Sequence, residues 1–296
     1  MSDSKDISED RGFKALFSAY PQETIEVFAP ELLTERGKPA AVTVLQQESV
    51  LPDLGDTSRF LDIALLATWL DGSHAVILLV EHWSEARKVD LRRVNWYVAD
   101  LALRHPHAAV FPVVLVTDPS PRAVLDRWEM SVAGMVTVSL QVRVYRVTPL
   151  ELPRLRSLQS RVAAILTILA VQDAVEAVAA ALEHMARSPG PLDDLERFLP
   201  FAMKLARMQE SDAPRFRRRL EEAGMVNVLT ELKEEARAEA RAEALAQASR
   251  ATVASVHRLV DRGVLTRDAA RAELTDLIDT GAITREIGQG ALSLLG

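Results

Sequence analysis

The spacing of hydrophobic residues divides the chain into three regions. From about residue 59 to 148, apolar residues form short runs rich in Val, Ile, Leu and aromatic side chains, which is typical of strands. Beyond that point Ala, Leu, Glu and Arg recur at helical spacing to the end. We therefore predict an α/β domain over 1–150, a helical region over 151–225, and a long helix with a short helical tip over 226–296.

The α/β region is predicted to contain a mixed sheet flanked by helices. Ser8 or Asp10 can cap a first helix, and Pro21 suits the first turn of a second. Because a helix separates a hairpin strand from the following strand, that connection is a crossover and its strands run parallel. The predicted strands are 59–70, 74–83, 110–117 and 135–147; a helix covers 86–104, and residues 34–58 are expected to be irregular.

The rest of the chain is predicted to be entirely helical. The last forty residues hold a short repeat, in which LVDRGVLTR (259–267) returns as LIDTGAITR (277–285). In each copy a glycine suits a left-handed helix end, and a threonine suits the next N-cap. The long helix offers mostly alanine as apolar content, so it is either exposed or paired closely, which would make a homo-oligomer through these helices. The predicted helices are 154–170, 172–187, 192–209, 212–223 and 227–262.

Composition and charge narrow the function classes. The chain of 296 residues has no cysteine, which excludes disulfides, thiolate zinc sites and a cysteine nucleophile. Its net charge of −7 repels phosphate, so any face that binds nucleic acid must be local. No apolar run approaches the ~20 residues of a membrane span, and the acidic N-terminus lacks the pattern of a signal peptide. We expect a cytoplasmic protein with no membrane association.

The predicted hairpin brings two carboxylates together. Asp71-Gly72 is a signal for a two-residue turn, and counting back from it places Asp62 opposite Glu81. Opposed side chains share one side of the sheet with Cβ atoms about 4.5–5.5 Å apart, and apolar residues surround both acids. A carboxylate so placed shifts its pKa upward or needs a cation. A bound Mg²⁺, Mn²⁺ or Ca²⁺ would offset both the repulsion between the two acids and their apolar surroundings. The alternative is a pair of strand-end acids that simply reach water.

Several segments of the first region form an ordered set of motifs. EDRGFKALF (9–17) and Glu81-His82-Trp83-Ser84 resemble the opening "HD-R-x-FK-x-LF" and the "E-H-Q-S" segment of the Rpn family, recombination-promoting nucleases of the PD-(D/E)XK transposase-like class. Asp62 matches the strand aspartate. Arg93 and Tyr97 match an "R…RY" spacing, and Phe111–Leu115 resembles a "P-V-x-x-hydrophobic" strand. The resemblance covers about residues 8–150, with the motifs in the same order, and the helical tail is also typical of such proteins.

This resemblance implies a restriction-endonuclease-like core that hydrolyses DNA phosphodiester bonds. Asp62 and Glu81 would bind the divalent metal, and a Lys or Gln two positions after the glutamate would orient the attacking water. Here Trp83 occupies that third position. Indole has one donor, no acceptor and no charge, so it cannot replace that group, and such a loss costs orders of magnitude in rate. His82 points to the opposite face, whereas Lys88 could reach back from the following helix.

Further residues have two interpretations each. Glu48 and Asp10 are either additional carboxylates of the site or ordinary surface and capping acids. Arg93 and Tyr97 share one helix face, and Arg93 lies either near the metal and phosphate or in a structural pair with a hairpin acid. Two functions follow: a metal-dependent DNA endonuclease with a weak or inactive site, or a catalytically silent nuclease fold that acts by DNA binding or self-association. The run Arg215, Arg217, Arg218 and Arg219 is interpreted as a solvated helix face rather than a phosphate track.

Overall fold

A five-stranded mixed sheet forms the centre of the α/β region. The computed structural model describes residues 8–45, 63–70 and 75–295, and for 226–242 the backbone alone. The strands lie in the order β1-β2-β3-β4-β7, antiparallel from β1 to β3 and parallel from β3 to β7. This confirms the predicted mixed sheet. The strands are β1 Ala41–Val44, β2 Ile63–Thr68, β3 Ala75–Trp83, β4 Ala108–Val116 and β7 Arg143–Tyr145.

Helices cover both faces of this sheet. On one face, helix α4 (Leu91–Arg104) packs Val94 and Leu101 against Ile77 and Leu79 of β3. On the other face, helix α1 stacks its Phe13 ring 4.8 Å from His82 of the same strand. Ser8 caps α1, as predicted, by accepting a hydrogen bond from the backbone of Arg11. The helices on this second side are α1 Glu9–Ala19, α2 Pro21–Phe28 and α3 Pro30–Arg36.

Two parts of the α/β prediction were wrong. The segment 34–58 is not wholly irregular, because it contains β1, whose four residues are too few for a periodic signal. The predicted strand 135–147 is two strands, β6 (Met135–Gln141) and β7. β6 leaves the main sheet to pair with β5 (Arg127–Val132) in a separate two-stranded ribbon. The break falls at Val142, whose N–H donates to the carbonyl of Asp126.

The helices that follow belong to the same compact unit as the sheet. By residue contacts, the chain divides into the units Met1–Val226 and Asn227–Gly296, so the predicted region 151–225 lies within the first. Glu23 on α2 ties the sheet side to these helices, since one of its carboxylate oxygens accepts from Ser160 Oγ at 2.9 Å and from the Arg161 N–H at 2.6 Å. The helices are α5 Leu152–Ser157, α6 Arg161–Thr167, α7 Ala174–Arg187, α8 Asp193–Leu205 and α9 Ala213–Glu222.

The second unit is helical, which confirms the predicted all-α C-terminal region. Gly263 and Gly281 have φ of 68° and 71°, the left-handed conformation expected from the repeat. Thr266 caps the next helix by accepting from the backbone of Ala269 at 3.3 Å. Thr284 stands at the other N-cap without such a bond, and its N–H instead donates to Ser249 Oγ at 2.9 Å. The helices are α10 Met225–Asp261, α11 Arg267–Asp279 and α12 Arg285–Leu294.

No helix in the described part of the chain combines the length and the hydrophobicity needed to cross a membrane.

Candidate functional site

The β2–β3 pairing has the predicted register. Ile63 lies opposite Val80, and the pairs continue in step to Ala67 opposite Val76. This is the register in which Asp62 is predicted to lie opposite Glu81. Asp62, Glu48 and the Asp71-Gly72 turn lie outside the described residues, so the contact between Asp62 and Glu81 stays a prediction.

Glu81 is a fully buried carboxylate near the end of β3. Its side chain has no exposed surface, and its Oε2 lies 3.5 Å from Nη2 of Arg93 on α4. An ionised carboxylate removed from water needs a nearby positive charge or hydrogen-bond donors to offset lost hydration. Arg93 therefore pairs with an acid of the hairpin, as one of its two interpretations proposed.

Two aromatic rings hold the Arg93 guanidinium against Glu81. Its central carbon lies 5.3 Å from the ring centroid of Trp83 and 5.3 Å from that of Tyr97, within the range of cation–π attraction. Arg93 Nε also donates to Tyr97 Oη at 2.9 Å. The structure thus brings together Glu81, Trp83, Arg93 and Tyr97, four of the predicted site residues, on the α4 face of the sheet.

Trp83 packs into this cluster as an aromatic surface and not as a hydrogen-bonding group. Its indole Nε1 is buried and has no hydrogen-bond partner among the described residues. The indole packs against the cluster of apolar residues between the sheet and α4. Lys88 does not compensate, since its ammonium forms an ion pair with Glu85 and its side chain is 60% exposed.

The opposite face of the β3 end carries a second polar cluster. His82 is buried there; its Nδ1 lies 2.6 Å from Asp10 Oδ1, and its Nε2 lies 2.9 Å from Thr117 Oγ1. Thr117 Oγ1 also donates to Glu9 Oε2 at 3.3 Å. The hydrogen bond from His82 is the main cause that lowers the pKa of Asp10. Asp10 is thus engaged with His82, on the side of the sheet opposite to Glu81.

The sequence suggested this second cluster only in part. Asp10 and His82 both lie in the family-like motifs, but nothing in the pattern linked them to each other or to Thr117. The contact depends on α1 lying across the ends of β3 and β4, which is a tertiary arrangement. Among residues 8–45, 63–70, 75–225 and 243–295, whose side chains the structure describes, no three acidic or histidine side chains are arranged to hold a metal ion.

Asp118 fastens the segment that leaves β3 to the loop after β4. Its Oδ2 accepts from the N–H of Ala86 and its Oδ1 from the N–H of Ser120, both at 2.8 Å. These two backbone bonds favour the charged carboxylate and lower the pKa of Asp118. The 3-10 turn Ala86–Lys88, which leads into α4, is held by this contact.

The Asp118 contact should make part of the stability depend on acid pH. A group whose folded-state pKa is lowered stabilises the fold above its unfolded pKa, near 3.9, and loses that effect as pH falls through the folded value. We expect Asp118→Asn to melt at a lower temperature than the wild type at pH 7. The difference should shrink steadily below pH 4.

Thermal melting followed by circular dichroism from pH 7 to pH 2.5 measures this difference. Asp90→Asn is the control. Asp90 also accepts a hydrogen bond from a backbone N–H, that of Arg92, and the change leaves the Asp118 carboxylate in place. A gap between wild type and Asp118→Asn that stays constant down to the lowest pH would contradict the assignment.

The basic run on α9 is exposed at Arg215 and Arg217, as a solvated face requires, whereas the Arg219 side chain is only 25% exposed. Arg219 Nε donates to Glu176 at 2.8 Å, Arg217 Nε to Glu221 at 3.3 Å, and Arg215 forms an ion pair with Asp173. Three of the four arginines are therefore paired with acids of the same unit.

Comparison of the chain with protein-family models, with curated proteins and with solved structures gave no match in any of the three. The motifs shared with the Rpn family therefore remain a resemblance, and function is inferred from the residues themselves.

Proposed function

We propose that this protein has a nuclease-type core that binds a divalent cation through Asp62 and Glu81 and hydrolyses DNA phosphodiester bonds slowly. One observation carries the proposal: a fully buried Glu81 carboxylate near the end of β3, with Arg93 against it and the Trp83 indole at the third motif position. A buried carboxylate on β3 supports a ligand position for the cation, and an indole in place of Lys or Gln is the reason we expect a low rate.

The chemistry of the residues fits a hard divalent cation. Carboxylate oxygens are the ligands that Mg²⁺, Mn²⁺ and Ca²⁺ prefer. The Glu81 carboxylate is fully buried beside the Arg93 guanidinium, and a buried anion is stabilised by positive charge nearby. Asp62 and Glu81 would hold the ion. When bound, such an ion lowers the pKa of a water ligand and offsets charge on a phosphate oxygen.

Arg93 supplies a fixed positive charge beside this position. Its guanidinium is always protonated and offers five donors, so it can bind a phosphate oxygen and stabilise charge that develops there. For the same reason it cannot accept a proton from water. Trp83 cannot orient water either, because its one donor is a buried N–H and it has no acceptor. Phosphate binding is thus retained in this site, while activation of water is weakened.

Plasmid cleavage in Mg²⁺, Mn²⁺ or Ca²⁺ tests the proposal. We expect slow nicking by the wild type and background levels for Asp62→Ala and Glu81→Ala. Trp83→Gln restores an amide at the third position, and since one such group typically contributes about 10²–10³-fold, we expect a gain of at least about 10-fold. Trp96→Gln, which alters a tryptophan 52% exposed on α4, is the matched control and should leave the rate unchanged.

Calorimetry with Mn²⁺ separates metal binding from cleavage. Heat of binding that is present in the wild type and lost in Asp62→Ala would support the assignment of the ligands. Cleavage that persists unchanged in Asp62→Ala would refute that assignment, and an absence of divalent binding would refute the metal-based mechanism.

A second function, a catalytically silent nuclease fold, is favoured by the Trp83–Arg93 stack itself. The stack fills the third position with a structural contact and gives Glu81 a cation of its own. Such a protein would act by DNA binding or by self-association of the helical C-terminal region. It is supported if neither wild type nor Trp83→Gln cleaves DNA while gel shift detects a complex or sedimentation detects an oligomer.

A further inference from the structure

A groove rich in arginine lies beside the candidate site. One wall is the 3-10 turn and the start of α4, and the other is the segment 122–130 that leads into the β5–β6 ribbon. We name this cavity of about 580 Å³ the basic groove. Four arginines and two acids are among the residues that line it: Arg87, Arg92, Arg122 and Arg127, with Asp90 and Glu129. This excess of positive charge is local, on a chain whose net charge is −7.

The arginines of the basic groove are exposed and weakly held. The side chains of Arg87, Arg92 and Arg127 are 67%, 74% and 63% exposed. Each pairs with an acid two residues away on its own segment: Arg87 with Glu85 at 2.7 Å, Arg92 with Asp90 at 3.5 Å, and Arg127 with Glu129. Exposed ion pairs of this kind contribute little to stability. An incoming phosphate can therefore replace the acid without loss to the fold.

The basic groove and the candidate site are both formed in part by helix α4. Arg92 lines the groove, and the next residue on α4, Arg93, turns inward to Glu81. Asp118 fixes the N–H of Ala86, so the turn that carries Arg87 is attached to the loop after β4. Neighbouring residues of one helix turn thus carry a groove arginine and the arginine that faces Glu81.

We propose that the basic groove binds the phosphodiester backbone of duplex DNA on one side of the phosphate that would contact Arg93 and the cation held by Asp62 and Glu81. This inference rests on the proposed function and names its substrate contact. Guanidinium groups pair with phosphate oxygens through two parallel hydrogen bonds. Arginines on both walls allow contacts to successive phosphates, whose release of counterions drives binding. The groove offers the positive face that a duplex substrate needs on an otherwise acidic protein.

Fluorescence anisotropy with a labelled short DNA duplex tests the groove. The probe is titrated with the full-length protein in Ca²⁺ over a range of salt concentrations. We expect the double variant Arg92→Gln, Arg127→Gln to raise Kd at least about 10-fold at low salt and to reduce the slope of log K against log salt by about 2. The matched control is the double variant Arg217→Gln, Arg218→Gln on α9, which also removes two arginines from the first unit. We expect it to leave Kd and the salt slope unchanged.

The experiment distinguishes duplex DNA from other ligands that carry phosphate, and it tests binding in the groove separately from hydrolysis. Tighter binding of single-stranded DNA, of RNA or of inorganic phosphate than of the duplex would overturn the inference, as would an equal loss in groove and control variants. If wild type binds the duplex through the groove but never cleaves it, the proposed hydrolysis fails and the groove stands. If the groove variant cleaves and binds as the wild type does, the groove fails and the hydrolysis stands. Circular dichroism melting confirms that each variant is folded.

Discussion

Replacing Arg161 by alanine is expected to lower the free energy of unfolding of the first unit by about 3–5 kcal/mol, the range for breaking a buried ion pair. The Arg161 side chain has no exposed surface, and its Nη1 lies 3.3 Å from Asp194 Oδ2. The same nitrogen donates to Tyr20 Oη at 3.2 Å and to the carbonyl of Pro191. Burial and the contact with Asp194 raise the pKa of Tyr20, so its hydroxyl stays a donor. Alanine would leave a cavity and would leave Asp194 with only the Tyr20 hydroxyl and the exposed Arg197 as partners among the described residues.

Arg197→Ala is the matched control for this change. Arg197 also faces Asp194, with Nη1 at 3.6 Å from Oδ1, but its side chain is 57% exposed. An exposed pair of this kind is worth at most about 1 kcal/mol. The comparison therefore sets a buried arginine, with its added bonds to Tyr20 and Pro191, against an exposed arginine that faces the same acid.

Urea unfolding followed by tryptophan fluorescence measures both variants. The tryptophans, at positions 69, 83, 96 and 128, all lie in the first unit, so the signal reports on that unit alone. Losses of similar size in Arg161→Ala and Arg197→Ala would contradict the role assigned to the buried guanidinium.

Gly12→Ala is expected to destabilise the same unit by about 1–3 kcal/mol or more through overpacking. A Cβ atom at Gly12 would lie 2.1 Å from Cδ2 of Phe201 on α8, far inside van der Waals contact. The Phe201 ring cannot retreat freely, since it packs edge-on against Phe13 with centroids 5.0 Å apart. At Gly12, helices α1 and α8 thus lie too close together to leave room for a side chain.

Gly290→Ala provides the control, because a Cβ there meets no atom within 4 Å and the residue lies inside α12. Alanine favours helix over glycine by up to about 1 kcal/mol, so melting by circular dichroism should show no loss for that variant. Adding Phe201→Leu to Gly12→Ala should cost less than the two single changes together. Additive losses would mean that the clash is not what destabilises Gly12→Ala.

The local parts of the candidate site could be predicted from the sequence. Side chains alternate between faces of a strand with a period of two, so Glu81 and Trp83 had to share a face and His82 had to point away. The hairpin register followed from turn geometry, and the described pairs from Ile63 opposite Val80 onward agree with it. In the same way, glycine and threonine in the 18-residue repeat indicated helix ends and starts, since these are properties of single residues and their neighbours.

Tertiary structure alone decided what those residues touch. No local period predicts that Arg93 meets Trp83, that Asp10 meets His82, or that Arg161 meets Asp194, because each contact joins separate elements that meet only after packing. The division of 135–147 into two strands has the same origin. Its alternating pattern suits a strand in either sheet, and pairing with β5 or with β4 determines which sheet each part joins. The sequence determined which groups are available on each face of β3; packing of α1 and α4 against that strand determined which charges they meet.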